Sequence, residues 1–379
     1  MRIAHVTDCY LPRMGGIERQ VQGLATAQLA AGHDVTVLTS VPAGPTPDAP
    51  DGIAVLRPAG AGSRPGSMRY QASLRGRQVA DGYDLVHVHL STFSPLAFIA
   101  AAAAQRAGVP TVATLHSLWS YATPIFRGSD AALGWRSWPL TWTAVSSVAA
   151  QALSRVLRPG TEISVLANGV SPELWQPPVR SPRDPGRVGI VSVMRLAARK
   201  RPMQLLRVLR TVRDLVPDGI ALDVRIIGDG PQREAMQDYL RQHRMTGWVK
   251  LTGQLDQPAI RDRFADADLY VSPAVLESFG IAALEARCAG LPVLAFAGTG
   301  VADFITDGRN GVLVGSDDRL AAELARLACS PADRAELAGH QQGGSGYRWE
   351  EVLATCEQVY QRAVDSSGRP MRVAAVPHR

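Results

Sequence analysis

Cysteine is scarce. Four residues in 379, Cys9, Cys288, Cys329 and Cys356, are scattered with no CxxC spacing. They suggest neither a disulfide frame nor a zinc site, and they read as small buried apolar residues. Long hydrophobic runs are missing too. The longest candidate, "SPLAFIAAAAAQRAG", meets Gln105 and Arg106 after about ten apolar residues, too few to cross a bilayer. The N-terminus, "MRIAHVTD", enters a strand-like alternation at once, so the expected location is the cytoplasm. Charged residues make up only 20% of the chain, and the net +6 is arginine-driven and spread over both halves. Such a balance lacks the basic stripe of a nucleic-acid binder and suits an anionic small ligand or a membrane surface.

What is present is a hydrophobic content of 46%, enough for about two globular domains. In the first half, short apolar strands at 2–8, 34–40, 53–58, 84–90, 110–116 and 162–169 alternate with helix-length segments. The first of these segments spaces Ile17, Val21, Leu24 and Leu29 helically and stops at Gly32. Near-continuous apolar strands separated by helices predict a parallel sheet covered on both faces. Residues 171–187, "SPELWQPPVRSPRDPGR", hold five prolines and read as a linker. The alternation then restarts, with strands at 187–193, 223–228, 249–253, 269–274, 292–296 and 311–314. The predicted fold is therefore α/β, two Rossmann-like doubly wound domains facing a central cleft, at 1–170 and 188–348. A helix at 349–365 is expected to pack back on the first domain, and 366–379 reads as a loose tail. Open parallel sheets bind ligands at the C-terminal ends of their strands.

Chemistry concentrates in "ESFGIAALEARCAGLPVLA", residues 277–295. Glu277 follows a strand, and a helix starts at or just after Gly280. The amides of Phe279, Gly280 and Ile281 would then lie at the positive end of the helix dipole. Glu285 stands about a turn and a half further on. Two carboxylates flanking a row of donors suit a polyol phosphate. On spacing alone, the plainer reading makes Glu277 an ordinary helix-start glutamate and Glu285 a solvated one.

The wider pattern resembles the retaining family 4 glycosyltransferases, whose architecture is called GT-B. The matching residues are the Glu-x7-Glu pair of "ESFGIAALE", then "DGRNGVLV" (307–314), "VMRLAARK" (193–200), "IIGDGPQRE" (226–234), "LANGV" (166–170), "PRMGGIE" (12–18) and "ATLH" (113–116). They run in the family's order from about residue 2 to 360. The resemblance implies that Arg195 and Lys200 clamp the donor pyrophosphate, where two fixed cations lower the cost of a departing diphosphate. It further implies that Glu277 grips hydroxyls of the transferred sugar and that Glu285 holds the ribose. By the same resemblance Gly15 and Gly16 let the backbone approach the donor phosphates, and His116 contacts the sugar. Two departures stand out. Met194 replaces a usual glycine, and "RKRP" replaces a usual Lys-Gly, which leaves Arg199 and Lys200 both as candidates for the phosphate.

The implied activity is transfer of a hexose from a nucleotide sugar to a hydroxyl of a glycan or lipid-linked acceptor, with retention and with no metal or other cofactor. GDP-mannose is the first expectation for the donor; UDP-glucose and UDP-N-acetylglucosamine stay open. Rival readings are a non-hydrolysing sugar-nucleotide epimerase and a non-catalytic sugar-nucleotide-binding protein. "DAD" (266–268) imitates a metal motif but ends a helix. "HVH" (87–89) has no third ligand at a recognisable spacing and reads as a strand end near the acceptor. Arginines 57, 64, 69, 75 and 77, with Trp119, Trp135, Trp138, Trp142, Tyr121, Phe126, Arg127 and Arg136, raise the expectation of a peripheral contact with anionic membrane through 57–77 and 119–142.

Overall fold

The computed structural model describes residues 1–13, 15–44, 52–57, 82–119, 123–176, 186–340 and 344–368. The chain divides into two compact units, Met1–Gly169 with Gly346–Arg379, and Val170–Ser345.

In the first unit, β1 (Arg2–Thr7), α1 (Gly16–Ala30), β2 (Asp34–Thr39), β3 (Ala54–Leu56), β4 (Leu85–Leu90), α2 (Pro95–Arg106) and β5 (Thr111–Leu115) are followed by α3 (Thr123–Leu133), β6 (Thr141–Ala144), α4 (Ser147–Ser154) and β7 (Ile163–Val165). The sheet order is β3-β2-β1-β4-β5-β6-β7, with every pair parallel. The central strands β4 and β5 are buried at every position, as a sheet covered on both faces requires.

The second unit contains β8 (Arg187–Val193), α5 (Pro202–Leu215), β9 (Ala221–Ile227), α6 (Arg233–Gln242), β10 (Val249–Gly253), α7 (Gln257–Ala265), β11 (Leu269–Val271), α8 (Ile281–Cys288), β12 (Val293–Phe296), β13 (Gly311–Val314), α9 (Asp317–Cys329) and α10 (Pro331–Gly339). Its parallel sheet has the order β10-β9-β8-β11-β12-β13. Strands β8 and β1 occupy the middle of their sheets. In both, the strand order reverses direction beside them, the place where loops splay apart and leave room for a ligand.

Helix α11 (Trp349–Ser367) belongs to the first unit, far in sequence from the rest of it. Val352, Cys356, Val359, Tyr360, Ala363 and Val364 form one helical stripe that packs on Ile3, Leu24, Leu85 and Val112. Trp349 fits against two glycines, since a β-carbon on Gly23 or Gly169 would lie 2.1 or 2.4 Å from its ring. Gln20 of α1 secures Gly169 from both sides, donating to its carbonyl at 2.9 Å and accepting from its N–H at 2.8 Å. The "ANG" segment is thus held to α1 and α11.

Several expectations need correction. Strand β6, "TWTA", is a fully paired member of the sheet that the strand pattern did not pick out. Its Trp142 is buried, as are Trp119 and Trp135, while Trp138 and Phe126 pack against the same core. The three buried rings are already taken out of water by protein and offer no surface to a membrane, while Trp138 and Phe126 are half-buried. Arg136 is spent on Asp130 and the Leu157 carbonyl. Arg57 donates to the Leu11 carbonyl. Residues 58–81, Tyr121 and the side chain of Arg127 lie outside the described residues. Among the described residues no helix is long and apolar enough to cross a membrane.

The linker expectation also shrinks. Pro172–Leu174 form a 3-10 turn, and Trp175 is buried beside Phe264, because proline at the first position of a short helical turn costs nothing. Residues 177–185 lie outside the described set, as do 369–379 of the expected tail; α11 itself extends to Ser367. Cys329 is exposed, at the end of α9 and off its buried stripe, whereas the other three cysteines are buried.

Candidate active site

In the second unit the loop after β8 carries Arg195, Arg199 and Lys200. Two glycines define its course. Gly228 (φ 130°) and Gly230 (φ 158°) lie so close that β-carbons there would meet the carbonyls of Met194 at 1.9 Å and Leu196 at 2.6 Å. The Met194 N–H donates to the Ile227 carbonyl and the Leu196 N–H to that of Asp229. The Gly-Asp-Gly-Pro turn is therefore a buttress under the Arg195 loop.

The second sequence departure has a structural answer. Arg201 stands in the left-handed region (φ 58°, ψ 41°), where glycine would be unstrained. Its guanidinium donates to the Pro273 carbonyl at 3.2 Å and to Asp317 at 2.6 Å, and lies 5.3 Å from the Phe296 ring centre. These contacts offset a backbone cost of about 1–3 kcal/mol. By holding the turn, Arg201 delivers Lys200 to Glu277, with which it forms an ion pair. Arg199 is exposed, so of the two candidates Lys200 is the one brought to the glutamate loop. Arg195 is exposed and, among the described residues, has no side-chain partner.

Glu277 lies in the loop after β11, whose shape depends on a close backbone approach. Gly300 donates to the Glu277 carbonyl at 2.9 Å, and a β-carbon on Gly300 would lie 2.2 Å from the Ser278 carbonyl oxygen. Gly280 (φ 94°) begins α8. Phe279 is buried against Phe304, which turns its side chain away from any ligand and leaves only its backbone for the predicted role. Among the described residues the amides of Gly280 and Ile281 have no hydrogen-bond acceptor. Glu285, on the buried side of α8, is 8% exposed. Tyr270, not recognised from sequence, joins the group. Burial, then the charges of Glu277 and Glu285, push its phenol well above the ordinary range, so it stays neutral and donates to the Val193 carbonyl at 3.4 Å. Asp268 of "DAD" is structural: its carboxylate accepts from the Gly189 N–H at 2.8 Å.

In the first unit Gly15 immediately precedes α1, in extended conformation. A β-carbon there would lie 2.4 Å from Glu18 Oε2, so the glycine makes room first for Glu18. Glu18 is buried and pairs with Arg13 at 3.2 Å, an arrangement the glycine motif alone did not disclose. Gly16 is the first residue of the helix. His116 follows β5, is buried, and has its Nε2 3.0 Å from His89 Nδ1. "HVH" lies in the C-terminal half of β4, where His87 and His89 are buried and joined by His5, with ring nitrogens within 4.8 Å of one another. A cavity of about 20 Å³ touches His87, His89, His116, Thr114 and Asn168. It has room for a water molecule.

Asp8, beyond the end of β1, caps α2 from outside, accepting from the Leu96 and Ala97 N–H groups at 3.1 Å each. Burial raises its carboxyl from 3.8 to about 6, and these hydrogen bonds offset only part of that. A raised folded-state pKa favours the protonated form. Its contribution is therefore complete below pH 3.8 and is lost as pH rises through about 6. Thermal melts of Asp8→Asn should decline less than wild type between those two values; parallel curves would refute the assignment.

Two family models match in succession, "Glycosyltransferase Family 4" over residues 14–174 and "Glycosyl transferases group 1" over residues 178–340. The chain belongs to the family 4 glycosyltransferases of the GT-B fold. This glycosyltransferase is 28% identical to the glycogen synthase of Mycobacterium tuberculosis over 428 aligned positions, covering 100% of this chain and 99% of that protein. It is 27% identical to the GDP-mannose-dependent alpha-mannosyltransferase of Mycolicibacterium smegmatis, covering 84% of this chain and 85% of that one. Among solved structures, sucrose-phosphate synthase from Thermosynechococcus elongatus superposes with a TM-score of 0.77 at 18% identity, over 96% of this chain and 99% of the other. That likeness is one of fold.

Proposed function

We propose that this glycosyltransferase moves a hexose from a nucleoside diphosphate sugar to a hydroxyl of a glycan or lipid-linked acceptor, with retention and without a metal ion. The observation that carries the reading is the Lys200–Glu277 ion pair beside the α8 start, with Arg195 exposed in the same loop as Lys200. A diphosphate gathers negative charge as its bond to the sugar breaks, and fixed cations stabilise that charge more than they stabilise the ground state. Glu277 orients Lys200 before the donor arrives and accepts from sugar hydroxyls afterwards. The amides of Gly280 and Ile281 face the same anion at the positive end of α8. Glu285 takes the ribose. His116 meets the transferred sugar, and Gly15 and Gly16 allow backbone close to the phosphates. The departing diphosphate serves as base for the acceptor hydroxyl, so no further carboxylate is needed.

GDP-mannose is the first donor to test, supported by a relative that bears that donor in its name. A thermal-shift screen against GDP, UDP, ADP, TDP and their sugar conjugates identifies the base, because a ligand that binds only the folded state raises Tm by mass action. A GDP-selective rise of a few degrees, lost in Glu285→Ala, is the expected result. A UDP-selective rise would keep the site and change the sugar. No rise with any nucleotide at millimolar concentration would overturn the donor site.

A further inference from the structure

Asn168 is 6% exposed, and among the described residues its side-chain amide has no hydrogen-bond partner. Such a group carries two N–H donors and an accepting oxygen, and burial without partners forfeits its hydration. Asn168 lines the cavity of about 20 Å³ that lies between α1, α11 and the face of the first unit's sheet.

Most of the lining has nothing to offer a ligand. Leu24, Leu166 and Val352 are apolar. Gln20 uses both ends of its amide on Gly169, at 2.9 and 2.8 Å. His89 uses one ring nitrogen on His5 at 2.9 Å and the other on His116 at 3.0 Å. His87 uses its two on Tyr360 at 2.8 Å and Thr114 at 2.6 Å. Thr114 is different. Its hydroxyl meets only His87 Nε2, at 2.6 Å, and Thr143 Oγ1, at 2.5 Å. A hydroxyl has one proton and two lone pairs, so one position is left over whichever way those two bonds run.

We propose that the cavity is a binding site for one water molecule, held between Asn168 and Thr114. A water needs about 10–15 Å³ of such space and two to four polar partners. The two side chains supply the minimum, and Ala167, which lines the same cavity and makes no backbone hydrogen bond among the described residues, adds a third. A cation fits less well. The nitrogens of His5, His87 and His89 lie within 4.8 Å of one another, but those of His87 and His89 are already bonded, and no carboxylate lines the cavity to balance a buried charge. The water reaches across β6, because that strand lies between β5, which carries Thr114, and β7, which Asn168 follows. The chain leaves the first compact unit at Gly169. The water is therefore a third tie on the departing segment, beside the Gln20 amide and the Trp349 ring.

Crystals of the full-length protein, at a resolution that shows ordered solvent, test the site directly. The expected map has one peak within hydrogen-bond distance of both the Asn168 amide and Thr114 Oγ1. An empty cavity, or xenon entering it under pressure as it enters apolar voids, would overturn the proposal. In solution the test is selective, because the chain has two asparagines, Asn168 and Asn310. With 15N-asparagine labelling, Asn168→Leu assigns the signals by removing one of the two side-chain amide pairs. Wild type should show a cross-peak from water to the Asn168 amide, with NOE and ROE of opposite sign, as a water tumbling with the protein gives. A cross-peak with the signs of freely exchanging surface water, or none, would sink the site. Thr114→Val should abolish the peak, and an unchanged peak in that folded variant would remove the bridge. Should Thr114→Val not fold, Thr114→Ser keeps the hydroxyl and must retain the peak.

Discussion

Arg195→Ala lowers kcat by about 10²–10³ with whichever nucleotide sugar stabilises the protein, the range seen when one preorganised donor to a developing anion is removed. The loss falls chiefly on kcat, because charge on the diphosphate grows as the glycosidic bond breaks and the guanidinium matters most at that point. Arg195 is exposed and without a side-chain partner among the described residues, so its removal leaves no buried charge behind and the fold survives. Lys200→Ala differs in kind. It strips Glu277 of its ion pair and sets a bare carboxylate beside the incoming phosphates, so donor KM rises together with the fall in kcat. Glu277→Gln reverses that balance. Lys200 gains freedom to meet the diphosphate, nucleotide binding holds or tightens, and transfer still falls because a grip on the sugar is gone. Steady-state kinetics with calorimetric nucleotide titration separate the three patterns. A kcat for Arg195→Ala within about twofold of wild type would remove it from the reacting diphosphate.

The α/β architecture was readable because parallel strands buried on both faces leave apolar runs, and those runs fell where β1, β2, β4, β5, β8 and β9 lie. Strand β6 escaped because it is only four residues long and places Trp142 among threonines, a composition that suits an interface as well as a core. The same ambiguity produced the membrane expectation. The placement of Arg195, Glu277 and Glu285 in the fold was readable because a strand end and a helix start are local features. What pairs with them was not. The Lys200–Glu277 contact joins residues 77 apart, and the Gln28–Tyr360 contact joins residues 332 apart. The order β1-β4-β5 brings His5, His89 and His116 into line, and no spacing along the chain encodes that order. Arg201 was visible as a departure from the family pattern. Only the backbone showed that it occupies a glycine's conformation, with Asp317 and the Pro273 carbonyl holding it there.

Gly228→Ala will destabilise the second unit by about 3–5 kcal/mol, through the strain of a positive φ together with overpacking against a neighbour that cannot yield. The added β-carbon would lie 1.9 Å from the Met194 carbonyl oxygen, and that neighbour is backbone rather than a mobile side-chain tip. Met194 is tied through its N–H to Ile227 at 3.0 Å, and the Gly228 N–H itself donates to the Gly253 carbonyl at 2.8 Å. Relief therefore requires the end of β8 to separate from β9. Such a shift carries Arg195 and Lys200 with it, so whatever fraction stays folded loses donor affinity as well. A drop in Tm of about 10 °C follows for a unit of this size. Gly219→Ala is the matched control: no atom lies within 4 Å of its added β-carbon, and its change should stay within about 0.5 kcal/mol of wild type. Equal melting temperatures for the two variants would mean that the Gly-Asp-Gly-Pro turn does not press on the Arg195 loop. The loss of nucleotide affinity expected in Gly228→Ala would then have to arise at the phosphate-binding residues themselves.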